Sequence, residues 1–288
     1  MASRSIVSGS LALLSGLISC SGADAADFAC WQPNKTVLAA DEAGEGYWTK
    51  ERRDRAVSEN DGGNVTAPKP EGLAATARVD VTQPPYEYGG KLFYTRDGVD
   101  YTASAQFVSE DNVLLAAAHS MWRGDKHAVN VVFYPAYEDG AGTRFIVDQA
   151  AVLTDWIPVS PDPPSAEKSA LDYAALRTTA NSDAGKFVLS QDGSFTAVSM
   201  MGYPGNFGDG KYMYKQDSTK LAQVGGTYLA APTEFGTGAS GGAWFAPDNS
   251  LVSVVSAQIM QGKTLAMTGP ALTATTEAMI AFVKGGCN

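Results

Sequence analysis

From residue 90 onward, short β-branched and aromatic runs alternate with turn signals. The runs 91–95, 101–108, 112–117 and 127–134 come first, punctuated by Arg96-Asp97-Gly98 and Asp139-Gly140. The segments 145–153, 172–177, 195–202, 212–224, 242–245, 251–259 and 264–268 continue the texture, which predicts strands throughout. Only 273–284 predicts a helix, with apolar Ala278, Ile280, Ala281 and Phe282 ahead of Gly285-Gly286. A polar stretch over 178–194 divides the strands into two halves, about 90–180 and 190–270. Many short strands with one terminal helix predict an all-β barrel or sandwich.

The first ninety residues read differently. Arg4 precedes an apolar stretch over 6–18, with no acid before Asp24. It is too short for a membrane span and fits the core of a secretory signal over residues 1–25. Ala23-Asp24-Ala25 offers a cleavage site leaving Ala26 first, which is the favoured reading; Leu17-Ile18-Ser19-Cys20 offers a lipobox that would place a lipid anchor on Cys20. Residues 26–89 are rich in loop signals (Gly44-Glu45-Gly46, Asp61-Gly62-Gly63, Pro68-Lys69-Pro70) and predict a solvated, weakly structured, pro-like extension. The charged run 50–55 predicts one or two exposed helical turns.

Composition narrows the chemistry. The 288 residues carry 31 acids against 21 bases, a net charge of −10, so a nucleic-acid backbone would be repelled. With two histidines and three cysteines, no spacing matches a metal site, and no cofactor is expected. Once the leader is gone, Cys30 and Cys287 remain; export invites a disulfide between them, and free thiols in a mobile tail are the other reading. Secretion, or a periplasmic or cell-surface location, and a monomeric state are the expectations.

Three stretches carry candidate chemistry: Ala116-Ala117-Ala118-His119, Leu171-Asp172-Tyr173-Ala174, and Gly236-Thr237-Gly238-Ala239-Ser240-Gly241-Gly242. Singly each is an ordinary packed histidine, turn aspartate or glycine loop. Together they supply a nucleophile, a base to take its proton, and a carboxylate to hold that base in the required tautomer. Small residues around Ser240 leave room for backbone amides to converge on an oxyanion. Order along the chain then selects among folds. Gly238-Ala239-Ser240-Gly241-Gly242 also fits the nucleophile elbow of α/β-hydrolases, but those place histidine last, and both histidines here precede Ser240. The order His, Asp, Ser agrees with an all-β fold.

Residues from about 90 to 284 resemble a trypsin-like serine peptidase, most like the glutamyl-endopeptidase-like branch of bacteria and fungi. Gly90-Lys91-Leu92-Phe93-Tyr94 resembles its opening strand, and Asn112 to Ser120 (NVLLAAAHS) its histidine segment. Leu171 to Leu176 resembles its aspartate strand, Gly202-Tyr203-Pro204-Gly205 its GYPG turn, and Gly238 to Ala243 its serine loop. The resemblance implies two packed β-barrels of the chymotrypsin type with a cleft between them. It implies His119 as general base, Asp172 as its orienter, Ser240 as nucleophile, and the amides of Gly238 and Ser240 as the oxyanion hole. Peptides or proteins are then the substrates.

Departures from the pattern matter. Ser120 stands where animal relatives carry a cysteine. Ala239 replaces the aspartate that in many relatives receives a new N-terminus, so restraint by residues 26–89 must be steric or conformational. Glu234, six residues before Ser240, counts to the position where trypsin-like enzymes bind Arg or Lys; a surface loop position is the alternative. Ser256 falls in the expected substrate-pocket wall, Val254-Val255-Ser256-Ala257-Gln258, which lacks the histidine tied to glutamate preference. His127 reads as a surface residue. A non-catalytic binding protein on the same fold, or an esterase using the same triad, are the competing functions.

Overall fold

The computed structural model describes residues 27–34, 46–59, 76–162 and 164–288. The leader, its two cleavage readings and Cys20 lie outside the described residues.

The chain begins with β1 (Phe28–Trp31), a short helix α1 (Lys50–Arg55), β2 (Val57–Ser58) and β3 (Ala77–Arg78). The first barrel follows with β4 (Gly89–Arg96), β5 (Val99–Phe107) and β6 (Val113–Ala116). A helical turn α2 (Ala118–Met121) then leads to the hairpin β7 (Trp122–Arg123) and β8 (Lys126–His127). The barrel is completed by β9 (Val129–Pro135), β10 (Phe145–Leu153) and β11 (Ala174–Thr178); helical turns α3 (Trp156–Val159) and α4 (Ala166–Ser169) interrupt the last connection. The order β10-β11-β6-β5-β4-β9 closes on itself because β9 also pairs with β10. At the β4–β5 turn, Asp97 and Gly98 both take positive φ (51° and 78°), as a two-residue hairpin matched to strand twist requires.

The second unit holds β12 (Ala197–Gly202), β13 (Tyr214–Val224), β14 (Thr227–Ala231), β15 (Ala243–Phe245), β16 (Leu251–Val254), β17 (Gln258–Gln261) and β18 (Thr264–Pro270). Its order is β16-β15-β12-β13-β14-β18-β17, with β3 added to β13, and it forms an open half-barrel beside the closed one. The terminal helix α5 (Ala274–Lys284) starts with a capping box at Thr273. It buries Met279, Ile280 and Val283 in the core of the first barrel rather than the second.

Three expectations change. The single strand expected over 251–259 is two, because the backbone at Val255, Ser256 and Ala257 leaves the β16–β15 ladder and bonds to Gly242 and Thr268 instead. The sequence pattern does not predict the strand β14; its Thr-Tyr-Leu-Ala-Ala run has little β-branched character, and tertiary pairing with β13 and β18 makes it a strand. The extension is also more than a solvated tail in its described parts. β1 pairs with β10, Trp48 packs on Phe93 with ring centroids 5.6 Å apart, and Cys30 and Cys287 form a disulfide. β4 is buried along its whole length, with Phe93 meeting Trp48 and Thr95 meeting Tyr47 of this segment and Lys91 meeting Gly210.

Candidate active site

The site forms where the two units meet. Ala116, the last residue of β6, pairs with Ala174, the first of β11. That register sets Asp172, two residues before β11, against the α2 turn carrying His119. Asp172 Oδ1 accepts the backbone N–H of His119, and Oδ2 lies 2.8 Å from His119 Nδ1. Both residues are buried. An ionised carboxylate only accepts, so the proton of the neutral imidazole resides on Nδ1 and the lone pair on Nε2. Burial pushes the Asp172 carboxyl up, but the charge and hydrogen bond of His119 and a bond from Ser256 outweigh it, so the group titrates below its ordinary range.

Ser256 donates its hydroxyl to Asp172 Oδ2 at 2.6 Å and lies 3.1 Å from Ser169 Oγ, which in turn pairs with Thr268 Oγ1 at 2.7 Å. Placed by its sequence position in the pocket wall, Ser256 thus turns its side chain to the carboxylate. The backbone of α2 is fixed from another side, since Arg96 donates to the carbonyls of His119 (2.8 Å) and Ser120 (3.1 Å).

The Ser240 loop is held by both units. Ser104 on β5 donates its N–H to Ser240 O at 2.9 Å, and Gly241 donates to Val255 O at 2.7 Å. Gly241 has φ +80°, and a Cβ there would lie 2.4 Å from Ser104 O and 2.7 Å from Ala117 N. Only glycine permits this approach, which brings the serine loop against the residue two before His119. Ser240 and His119 line adjoining pockets that share Pro164, Ser256 and Ala257.

Neighbouring carbonyls orient the loop amides. Thr237 O accepts from Gly205 N at 2.8 Å, and Ala239 O from Gly242 N at 2.9 Å. In a trans peptide N–H and C=O point opposite ways, so the amides of Gly238 and Ser240 are aimed away from those partners. Gly238 takes φ +94° with its carbonyl on Ser104 Oγ at 2.8 Å. Ala239 is buried among apolar residues of the second unit.

The pocket beside Ser240 is lined by Phe235, Val255, Ala257 and Met267, with Thr237, Ser256 and Gln258 as polar members and Glu59 as its one charged member. Glu234 does not line it. Its carboxylate accepts from Thr76 Oγ1 at 2.9 Å, while its backbone is held by Gln216 and Asn206. Gln258 donates its side-chain amide to Phe235 O. His127 is exposed on β8, its ring 5.5 Å from both Trp31 and Trp122. Sequence reading missed Arg96, Ser169 and Glu59. Glu59 is buried in the cleft on Arg96 and Arg123; nothing near it in sequence signals that contact.

Among the described residues no group of His, Cys, Asp and Glu is arranged to hold a metal ion, and no helix is long and apolar enough to cross a membrane.

No family model and no curated protein sequence matches the chain. Solved structures do. A thermostable serine protease from an extremophilic microorganism aligns at TM-score 0.59 and 19% identity, over 69% of this chain and 97% of its own. A Glu endopeptidase aligns at 0.61 and 18%, over 74% and 98%. An inactivated protease paralogue from the scabies mite aligns at 0.53 and 15%, over 73% and 96%. The chain therefore has the chymotrypsin-type double-barrel fold that these proteases share.

Proposed function

We propose that the chain is an exported serine endopeptidase working through an acyl-enzyme at Ser240. The fold alone does not carry this, since an inactivated paralogue shares it. The observation that carries it is the buried His119–Asp172 pair, with Nδ1 committed to the carboxylate, adjoining a glycine-flanked serine loop whose amides are aimed by their neighbours.

In this reading Ser240 Oγ attacks the scissile carbonyl and passes its proton to His119 Nε2. Asp172 stabilises the imidazolium, and the amides of Gly238 and Ser240 receive the oxyanion. Collapse expels the amine, which takes the proton from His119, and water repeats the sequence on the ester. The pocket of Phe235, Val255, Ala257 and Met267 receives the side chain before the scissile bond. Those four residues fit a small or apolar side chain, in place of the Arg or Lys that Glu234 suggests from sequence, and the one carboxylate of the pocket, Glu59, is already paired with Arg96 and Arg123.

The test is labelling by a fluorophosphonate together with cleavage of a peptide library, in the parent and in Ser240→Ala. Stoichiometric labelling and cleavage, both lost in the variant, are expected. A folded parent that neither labels nor cleaves defeats the proposal. Turnover of simple esters without peptides would make it an esterase.

A further inference from the structure

The described extension enters the cleft. β2 lies parallel on the edge of β5, with Val57 opposite Tyr101 and Ser58 opposite Thr102. Two residues further along β5, Ser104 bonds Ser240 O, so β2 sits on the strand edge that leads away from the serine. Ser58 Oγ stands 2.7 Å from where a side chain on Gly238 would begin. Glu59 follows, and it lines the same pocket as Ser240.

The carboxylate of Glu59 is 7% exposed and held by the barrel. It accepts from Arg96, from Arg123 at 2.8 Å and from Tyr94 OH at 3.0 Å. Burial raises its titration, but Arg96, His119 and the Arg123 and Tyr94 bonds bring it below the ordinary range. Arg96 is itself buried and spends its other nitrogen on the carbonyls of His119 and Ser120. A guanidinium at that depth demands an anion. The barrel thus presents two arginines beside the catalytic histidine, and the anion they hold arrives on a segment outside the barrel strands.

We propose that Arg96 and Arg123 form a carboxylate-binding subsite on the leaving-group side of Ser240, and that Glu59 fills it as an internal ligand. With residues 57–59 displaced, the subsite takes an acidic side chain of a peptide substrate. The assignment of sides rests on the peptidase reading: Phe235, Val255 and Met267 line the part of the pocket that takes the residue before the scissile bond, and Glu59, which reaches the same pocket from the β5 edge, stands on the side of the residues after it. Glu59 then competes with substrate for one site.

Binding tests this without turnover. Fluorescein-labelled peptides, identical except for Glu or Gln at each of the first three positions after the scissile bond, are titrated by anisotropy. The proteins are Ser240→Ala alone and combined with Glu59→Ala or with the isosteric Glu59→Gln, which keeps shape where alanine disturbs folding. We expect one Glu peptide to bind about tenfold or more tightly than its Gln partner once Glu59 is replaced, since bidentate charge-assisted bonds are at stake. Adding Arg123→Gln should erase that selectivity, and Ser240→Ala alone should show little of it. Equal affinities for Glu and Gln peptides in both Glu59 variants overturn the subsite. Fluorophosphonate labelling of the chain with Ser240 intact separates the two readings: labelling with no Glu selectivity retires the subsite only, and Glu selectivity without labelling retires the peptidase only.

Discussion

Ser256 and Asp172 are joined by a 2.6 Å hydrogen bond to the very oxygen, Oδ2, that meets His119 Nδ1. Asp172 thus accepts from a hydroxyl, an imidazole and a backbone amide, and its buried charge is met from three directions. A carboxylate so satisfied stays ionised and fixed in orientation.

Ser256→Ala should leave the fold intact and slow turnover moderately, by about tenfold, because one of three bonds to the carboxylate is lost. The loss should fall on kcat more than KM if the hydroxyl acts through Asp172. A change confined to KM would mean that Ser256 acts through the pocket it lines and not through Asp172.

Asp172→Asn should lower kcat by roughly four orders of magnitude near neutrality, since the amide favours the wrong imidazole tautomer. His127→Ala should be nearly silent, as that ring sits on the exposed hairpin. The acid limb of the pH–rate profile should survive in milder variants, because Asp172 titrates too low to set it. Steady-state kinetics of the two variants checks the ranking.

Glu234→Gln should leave the preference before the scissile bond unchanged, because its carboxylate is engaged by Thr76 rather than lining the pocket. Matched peptides differing only at that position should favour uncharged over basic or acidic side chains in both proteins. A preference for Arg or Lys that disappears in the variant would reinstate the sequence-based count.

Lys91 lies buried in β4 with its ammonium 2.6 Å from Gly210 O, and burial brings its titration down to about 8. The unfolded chain titrates near about 10.4. Below pH 8 both states are charged and the folded state bears the whole cost, about 3 kcal/mol before the Gly210 bond is counted. Between those values the unfolded state binds more protons, so stability from this residue rises with pH. Lys91→Met should therefore be more stable than the parent at pH 7, by about 1 kcal/mol after the orphaned carbonyl is counted against it, and melt higher. The advantage should shrink toward pH 10. Thermal unfolding at the two pH values measures both.

Much of the fold and of the candidate site is legible in the sequence. Strand periodicity and the order of His119, Asp172 and Ser240 are local or linear signals, and a chain states them directly. The Ser256–Asp172 bond was less so, since it spans 84 residues and depends on the backbone leaving its ladder at Val255. Glu234 misled because counting residues fixes position along a loop and not the direction of a side chain. Glu59 was illegible: its partners lie 37 and 64 residues away, and its neighbours read as solvated polar chain.

The Cys30–Cys287 bond closes 257 residues of sequence separation into one covalent ring. A single backbone cut within such a ring, by another protease or by a second copy of this chain, opens it without producing a fragment that can diffuse away. A nicked molecule keeps Glu59 at the millimolar effective concentrations typical of tethered ligands, so the acid returns to its arginines after every departure. Cutting alone leaves this competitor in place. Its dismissal requires two cuts, or one cut and a reductant, and the redox state of the surroundings thereby gains a say over the cleft.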